Sequence, residues 1–172
     1  MDLFRLIETN SFSSIWFWIL VAVAWSSASH WILGVPSDLV QRARQEGGNS
    51  LERVHELLHI NVSRIKNIQK NAGLATATLA SFFLTGFAIL GFVYWIEFFQ
   101  AVFMLSFPMV FVGLLNIRAA HKVHDTLPAD DDLFKMFRRL RLSIQFIGLL
   151  SIFVTSVWGM LFVITYSSFP WL

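Results

Sequence analysis

Four stretches of this chain, residues 9–37, 71–96, 98–117 and 142–172, contain no Asp, Glu, Lys or Arg. A helix crosses the hydrocarbon of a bilayer in about 20 residues, and each stretch is long enough to do so. The pattern predicts an all-α fold: a four-transmembrane-helix bundle of two antiparallel hairpins, with spans at about 13–33, 73–93, 98–117 and 142–166. The remaining loops and tails are too short for a separate soluble domain, so residues 1–172 read as a single integral membrane domain. Composition agrees: 56% of residues are hydrophobic and 14% charged, where a soluble domain carries about a quarter charged residues.

The distribution of charge sets the orientation. Of 13 Lys and Arg residues, all but Arg5 fall in two segments, 34–72 and 118–141. The positive-inside rule places both in the cytoplasm, which predicts a multi-pass protein of the bacterial inner membrane with the N-terminus and C-terminus outside. The N-terminal tail, with Asp2, Arg5 and Glu8, lacks the basic region and cleavage site of a secretory signal and is expected to be retained. Trp16 and Trp18 at one end of the first span and Trp31 at the other suit the two interfaces, as do Phe169, Pro170 and Trp171 at the chain's end.

Details of the spans predict their contacts. Gly34 and Pro36 end the first span, because proline cannot extend a helix. Two rows of small residues, Gly73, Ala77, Ser81 and Thr85 in the second span and Gly148, Ser151, Thr155 and Gly159 in the fourth, allow close helix approach in lipid. Only residues 94–97 separate the second and third spans, so these form a tight hairpin, with Trp95 as interface anchor and Glu97 reaching the headgroups. Pro108 frees the carbonyl of Met104 within the third span, and Asn116 lies near its inner end. The acidic residues 130–132 suit the N-terminus of a helix that continues into the fourth span.

Residues 49–71 and 131–141 form cytoplasmic amphipathic helices. In the first, Val54, Leu58, Asn61, Ile65 and Ile68 fall on one line of the helical wheel, with Arg53, Glu56, Ser63 and Arg64 opposite. Asn49 or Ser50 is placed to cap its first turn, and the helix is expected to lie along the membrane surface or pack beneath the bundle. The second contains FKMFRRLRL, a basic juxtamembrane stretch attracted to anionic lipid. Arg64, Lys66, Lys70, Lys135, Arg138, Arg139 and Arg141 are the candidate contacts for lipid headgroups or a protein partner. Nucleic acid is disfavoured, since the few basic residues adjoin lipid.

HELLH at 55–59 is the string nearest to a catalytic motif: on a helix it presents two imidazoles for zinc and a carboxylate base. The longer form of that motif requires a glycine and a third histidine where this chain has Val62 and Ile65, and Lys66 on the same face repels a cation. His121 and His124, beside Asp125, would assemble a metal site with His55 and His59 only if the two segments meet. The simpler reading makes all four histidines surface residues, with no catalytic residue, no metal and no cofactor. Absence of cysteine excludes thiolate catalysis and cysteine-ligated clusters. His30, one turn from the inner boundary, suits a neutral imidazole bonded to a serine. No polar pathway crosses the apolar runs, which disfavours a transporter or channel made from one protomer.

Several strings carry a resemblance. WSSASHW followed by Leu33, Gly34, Val35 and Pro36, the QRAR at 41–44, INVSR at 60–64, and SIFVT with Trp158, Gly159 and Met160 resemble a family of small four-helix bacterial inner-membrane proteins described as components of the SufBCD complex. That resemblance implies the membrane class and an accessory role beside iron–sulfur assembly, and it assigns no site residues. The expected function is a non-enzymatic membrane scaffold or accessory subunit that binds lipid headgroups and a protein partner or larger membrane complex. The alternatives are a membrane metal-binding protein or zinc hydrolase built on HELLH, and a homo-oligomeric channel or transporter component.

Overall fold

The computed structural model describes residues 11–126 and 129–168. The tail with Asp2, Arg5 and Glu8 and the terminal Phe169, Pro170 and Trp171 lie outside the described residues. The chain runs as α1 (Ile15–His30), a short hairpin of β1 (Trp31–Ile32) and β2 (Val35–Pro36), α2 (Ser37–Glu46), α3 (Gly48–Ala88), a π-helical turn (Ile89–Val93), α4 (Glu97–Thr126) and α5 (Asp130–Ser168). The fold is all-helical apart from that hairpin. Three stretches, Gly48–Val93, Glu97–Asp125 and Asp130–Thr165, are long and apolar enough to cross a membrane. The apolar helix α1 has 16 residues, about 24 Å of rise against a hydrocarbon core of about 30 Å.

The basic amphipathic segment 49–71 is not a separate surface helix. It is the first half of α3, which continues without interruption for 41 residues. Backbone hydrogen bonds of a helix are indifferent to whether side chains are charged or apolar, and Gly73 alone does not break the ladder. Nor do Asn49 and Ser50 cap it: Gly47 stands at the N-cap with no side-chain bond, and the Ser50 hydroxyl donates to Glu46 at 2.9 Å. Gly47 and Gly48 both have positive φ, 62° and 48°, so this corner between α2 and α3 needs the freedom of glycine. The α4 and α5 helices likewise extend past their apolar stretches, and the three make a head at the basic end of the bundle.

The burial pattern differs along the bundle for a physical reason. In the head, Val54, Leu58 and Val62 of α3 pack with Ala119, Ala120 and Val123 of α4 and with Leu133 and Phe137 of α5. That is an ordinary water-driven core. Along the apolar stretches the large side chains point outward instead: Leu74 is 85% exposed, Phe82 73% and Leu149 71%. A surface of that kind suits contact with lipid or with another apolar surface rather than with water.

Among the apolar stretches, packing follows the small residues of α5. A Cβ on Gly148 would come within 2.8 Å of the Trp25 ring of α1, and one on Gly159 within 3.0 Å of Phe12. Thr155 between them is buried, and the Ser151 hydroxyl donates to the Met104 carbonyl at 3.4 Å, the group that Pro108 leaves without its helical donor. The first apolar helix therefore packs chiefly against α5 rather than pairing with α3 as its hairpin partner. The row in α3 behaves otherwise: Ala77, Ser81 and Thr85 are exposed.

Two tight connections are fastened by side-chain amides. In the β-hairpin, Leu33 and Gly34 both have positive φ, 53° and 72°, the requirement of a type I′ turn. Asn116 accepts the Leu33 N–H at 3.2 Å and Asn61 donates to the Gly34 carbonyl at 3.2 Å. His30 pairs with the Ser37 hydroxyl at 3.2 Å across the same hairpin. At the other end, Gln100 is fully buried, donating to the Gly91 carbonyl at 2.8 Å and accepting from the Trp158 indole at 3.0 Å. Glu97 does not reach outward; its carboxylate accepts the Phe12 N–H at 2.6 Å.

Candidate functional site

The four histidines lie on the head, where α3 and α4 run antiparallel and bring 55–69 beside 121–124. Three of their side chains are taken by different partners. His55 Nε2 meets the Asp130 carboxylate at 2.8 Å, tying α3 to the first turn of α5. His124 Nδ1 lies 3.0 Å from Lys66 Nζ and 3.2 Å from the Asp125 carboxylate, so a cation would meet an ammonium at once. His121 Nε2 bonds Gln69 Oε1. His55, His59 and His124 do line one cleft of about 490 Å³, floored by Leu58, Val62 and Leu133. Among the described residues, however, no three His, Cys, Asp or Glu side chains converge as ligands. The two halves of HELLH are therefore near each other, as helix geometry requires, without the third donor that a zinc centre needs.

The basic residues sort onto separate faces. Lys66 is 3.9 Å from Asp125 and Lys135 is 3.3 Å from Asp132, each an exposed pair worth little in water. Arg64 and Lys70 are exposed on α3. Arg139 and Lys135 line a cleft of about 750 Å³ between α4 and α5, with Arg118, Lys122 and Asp132. Arg138 and Arg141 instead line a cleft of about 490 Å³ on the other side of α5, together with Arg44 of α2. Among the described residues no arginine takes part in an ion pair.

Arg44 belongs to this arrangement although the α5 string alone does not point to it. Ser37, Val40, Gln41, Arg44 and Gln45 of α2 face the cleft at the i, i+3, i+4, i+7, i+8 spacing of one helical face. Phe134, Phe137, Arg138 and Arg141 of α5 repeat the first four of those steps. The spacing was visible in the chain; that the two faces meet is a tertiary fact.

The fold and this head define an all-helical protein of the membrane class with a basic, water-facing end. No known protein family, curated protein or solved structure matches the chain.

Proposed function

We propose that the protein is a four-span integral protein of the bacterial inner membrane, non-enzymatic, serving as a scaffold or accessory subunit whose basic cytoplasmic head binds lipid headgroups and a protein partner. In this reading α1 is the fourth span, completed by the turn before it and by Trp31 after it, and both chain ends lie outside. The observation that carries it is the head itself: α3, α4 and α5 extend beyond their apolar stretches to build one packed core whose surface displays arginines that no carboxylate neutralises among the described residues. Unpaired guanidinium groups next to lipid-facing helices suit phosphate headgroups and carboxylates of a partner. The likeness of WSSASHW, QRAR and INVSR to the SufBCD-component family favours an accessory role over catalysis.

The test is the size of the particle extracted from native membranes with a mild detergent. The wild-type chain is expected in a complex larger than itself, and Arg64→Glu with Lys70→Glu, both at exposed positions, is expected to release it. A lone wild-type monomer, with or without bound zinc, overturns the scaffold reading.

A further inference from the structure

The cleft between α2 and α5 differs from the other basic cleft in its chemistry. Three arginines, Arg44, Arg138 and Arg141, line it with no Asp or Glu, a formal charge of +3. The larger cleft between α4 and α5 includes Asp132, which already holds Lys135. The same cleft has an apolar lining: Val40 and Phe134 are half-buried and present accessible apolar surface, and Ile32, Val35 and Phe137 are buried. The cleft thus offers planar, forked donors to an anion on one side and hydrocarbon on the other.

Its height along the bundle narrows the class of ligand. Arg141 directly precedes the uncharged run that begins at residue 142, and Ile32 follows α1 by two residues. The cleft therefore opens where charged and apolar surfaces of the protein meet. A soluble phosphate would use the arginines and leave the apolar wall against water. An amphiphile with a phosphate head would use both.

We propose that this cleft is a binding site for one anionic phospholipid, whose phosphate is held by Arg44, Arg138 and Arg141 and whose glycerol and first acyl carbons lie on Phe134 and Val40. The proposal rests on the reading that the basic end meets the inner leaflet, and it adds a defined site with one lipid per protomer. The wider surface attraction expected of Lys and Arg near a membrane has neither a fixed position nor a stoichiometry.

The experiment uses the full chain, purified without its partner, with native mass spectrometry to count retained lipid and a titration of phosphatidylglycerol against phosphatidylcholine in nanodiscs. Expected is one retained phosphatidylglycerol per protomer in preference to phosphatidylcholine, not displaced by millimolar inorganic phosphate. Arg44→Gln with Arg138→Gln and Arg141→Gln is expected to weaken retention on the order of a hundredfold, from roughly fivefold for each basic group near the surface. Arg118→Gln with Lys122→Gln and Arg139→Gln removes the same charge from the other cleft and is expected to cost less than about tenfold. Arg138→Gln alone, at an exposed position, keeps the test open should the triple variant misfold, with an expected loss of roughly fivefold.

Equal losses in both triple variants, or no preference for phosphatidylglycerol, would overturn the site. Displacement by inorganic phosphate would overturn the lipid in favour of a soluble phosphate. Because lipid retention is read on isolated protein, it is independent of the extracted complex. Failure here leaves the scaffold reading standing, and failure there leaves this count unaffected.

Discussion

Single amides decide whether the tight corners of this bundle hold. Leu33 occupies left-handed backbone, a conformation that costs a non-glycine residue about 1–2 kcal/mol. Burial of its side chain and the bond from its N–H to Asn116 offset that cost. Asn116→Ala leaves the N–H without its partner and is expected to lower stability by about 1–3 kcal/mol, measured as thermal unfolding in detergent. Asn61→Ala, whose carbonyl partner at Gly34 has access to water, is expected to cost less in the same assay. Gln100→Leu, a substitution of similar size, strands both the Gly91 carbonyl and the Trp158 indole N–H; an unchanged unfolding temperature would show that neither bond matters.

Among the elements, the contact of α1 with α5 is the one most exposed to a small change. A methyl at Gly148 meets the Trp25 ring at 2.8 Å, and neither a packed indole nor the helix behind it yields cheaply. Gly148→Ala is expected to cost about 1–3 kcal/mol by overpacking. Gly113→Ala on α4 meets nothing within 4 Å and is expected to stabilise by up to about 1 kcal/mol through helix propensity. Both are read by thermal unfolding, and identical effects at the two glycines would contradict the packing described. The comparison also shows where the sequence was legible. Small residues at 148, 151, 155 and 159 announced a close contact, and α5 makes one. The same spacing at 73, 77, 81 and 85 announced another, yet Ala77, Ser81 and Thr85 face outward. Periodicity reveals that a face is small and cannot reveal whether a neighbour arrives. Likewise the change from charged to apolar at residue 71 suggested a boundary that α3 ignores, since side-chain polarity does not interrupt backbone hydrogen bonds. In the candidate site Arg138 and Arg141 stood out in FKMFRRLRL, whereas Arg44 joins them only because α2 folds back beside α5.

For the molecule as a whole, the absence of cysteine makes topology directly measurable, because one introduced thiol is the only one present. In sealed membrane vesicles, His121→Cys and Lys135→Cys are expected to label from the same side, and Ser13→Cys, also exposed, from the opposite side. Labelling of residue 13 together with residue 135 would remove α1 from the set of spans and leave the three long helices alone. The unbroken 41 residues of α3 carry a mechanical corollary. A rod of about 60 Å whose lipid-facing half leans over to match a thinner bilayer cannot leave its other half behind. By the geometry of such a lever, a 10° tilt sweeps one end sideways by about 10 Å relative to the other. Bilayer thickness is thereby translated into the position of His55, Arg64 and everything docked around them.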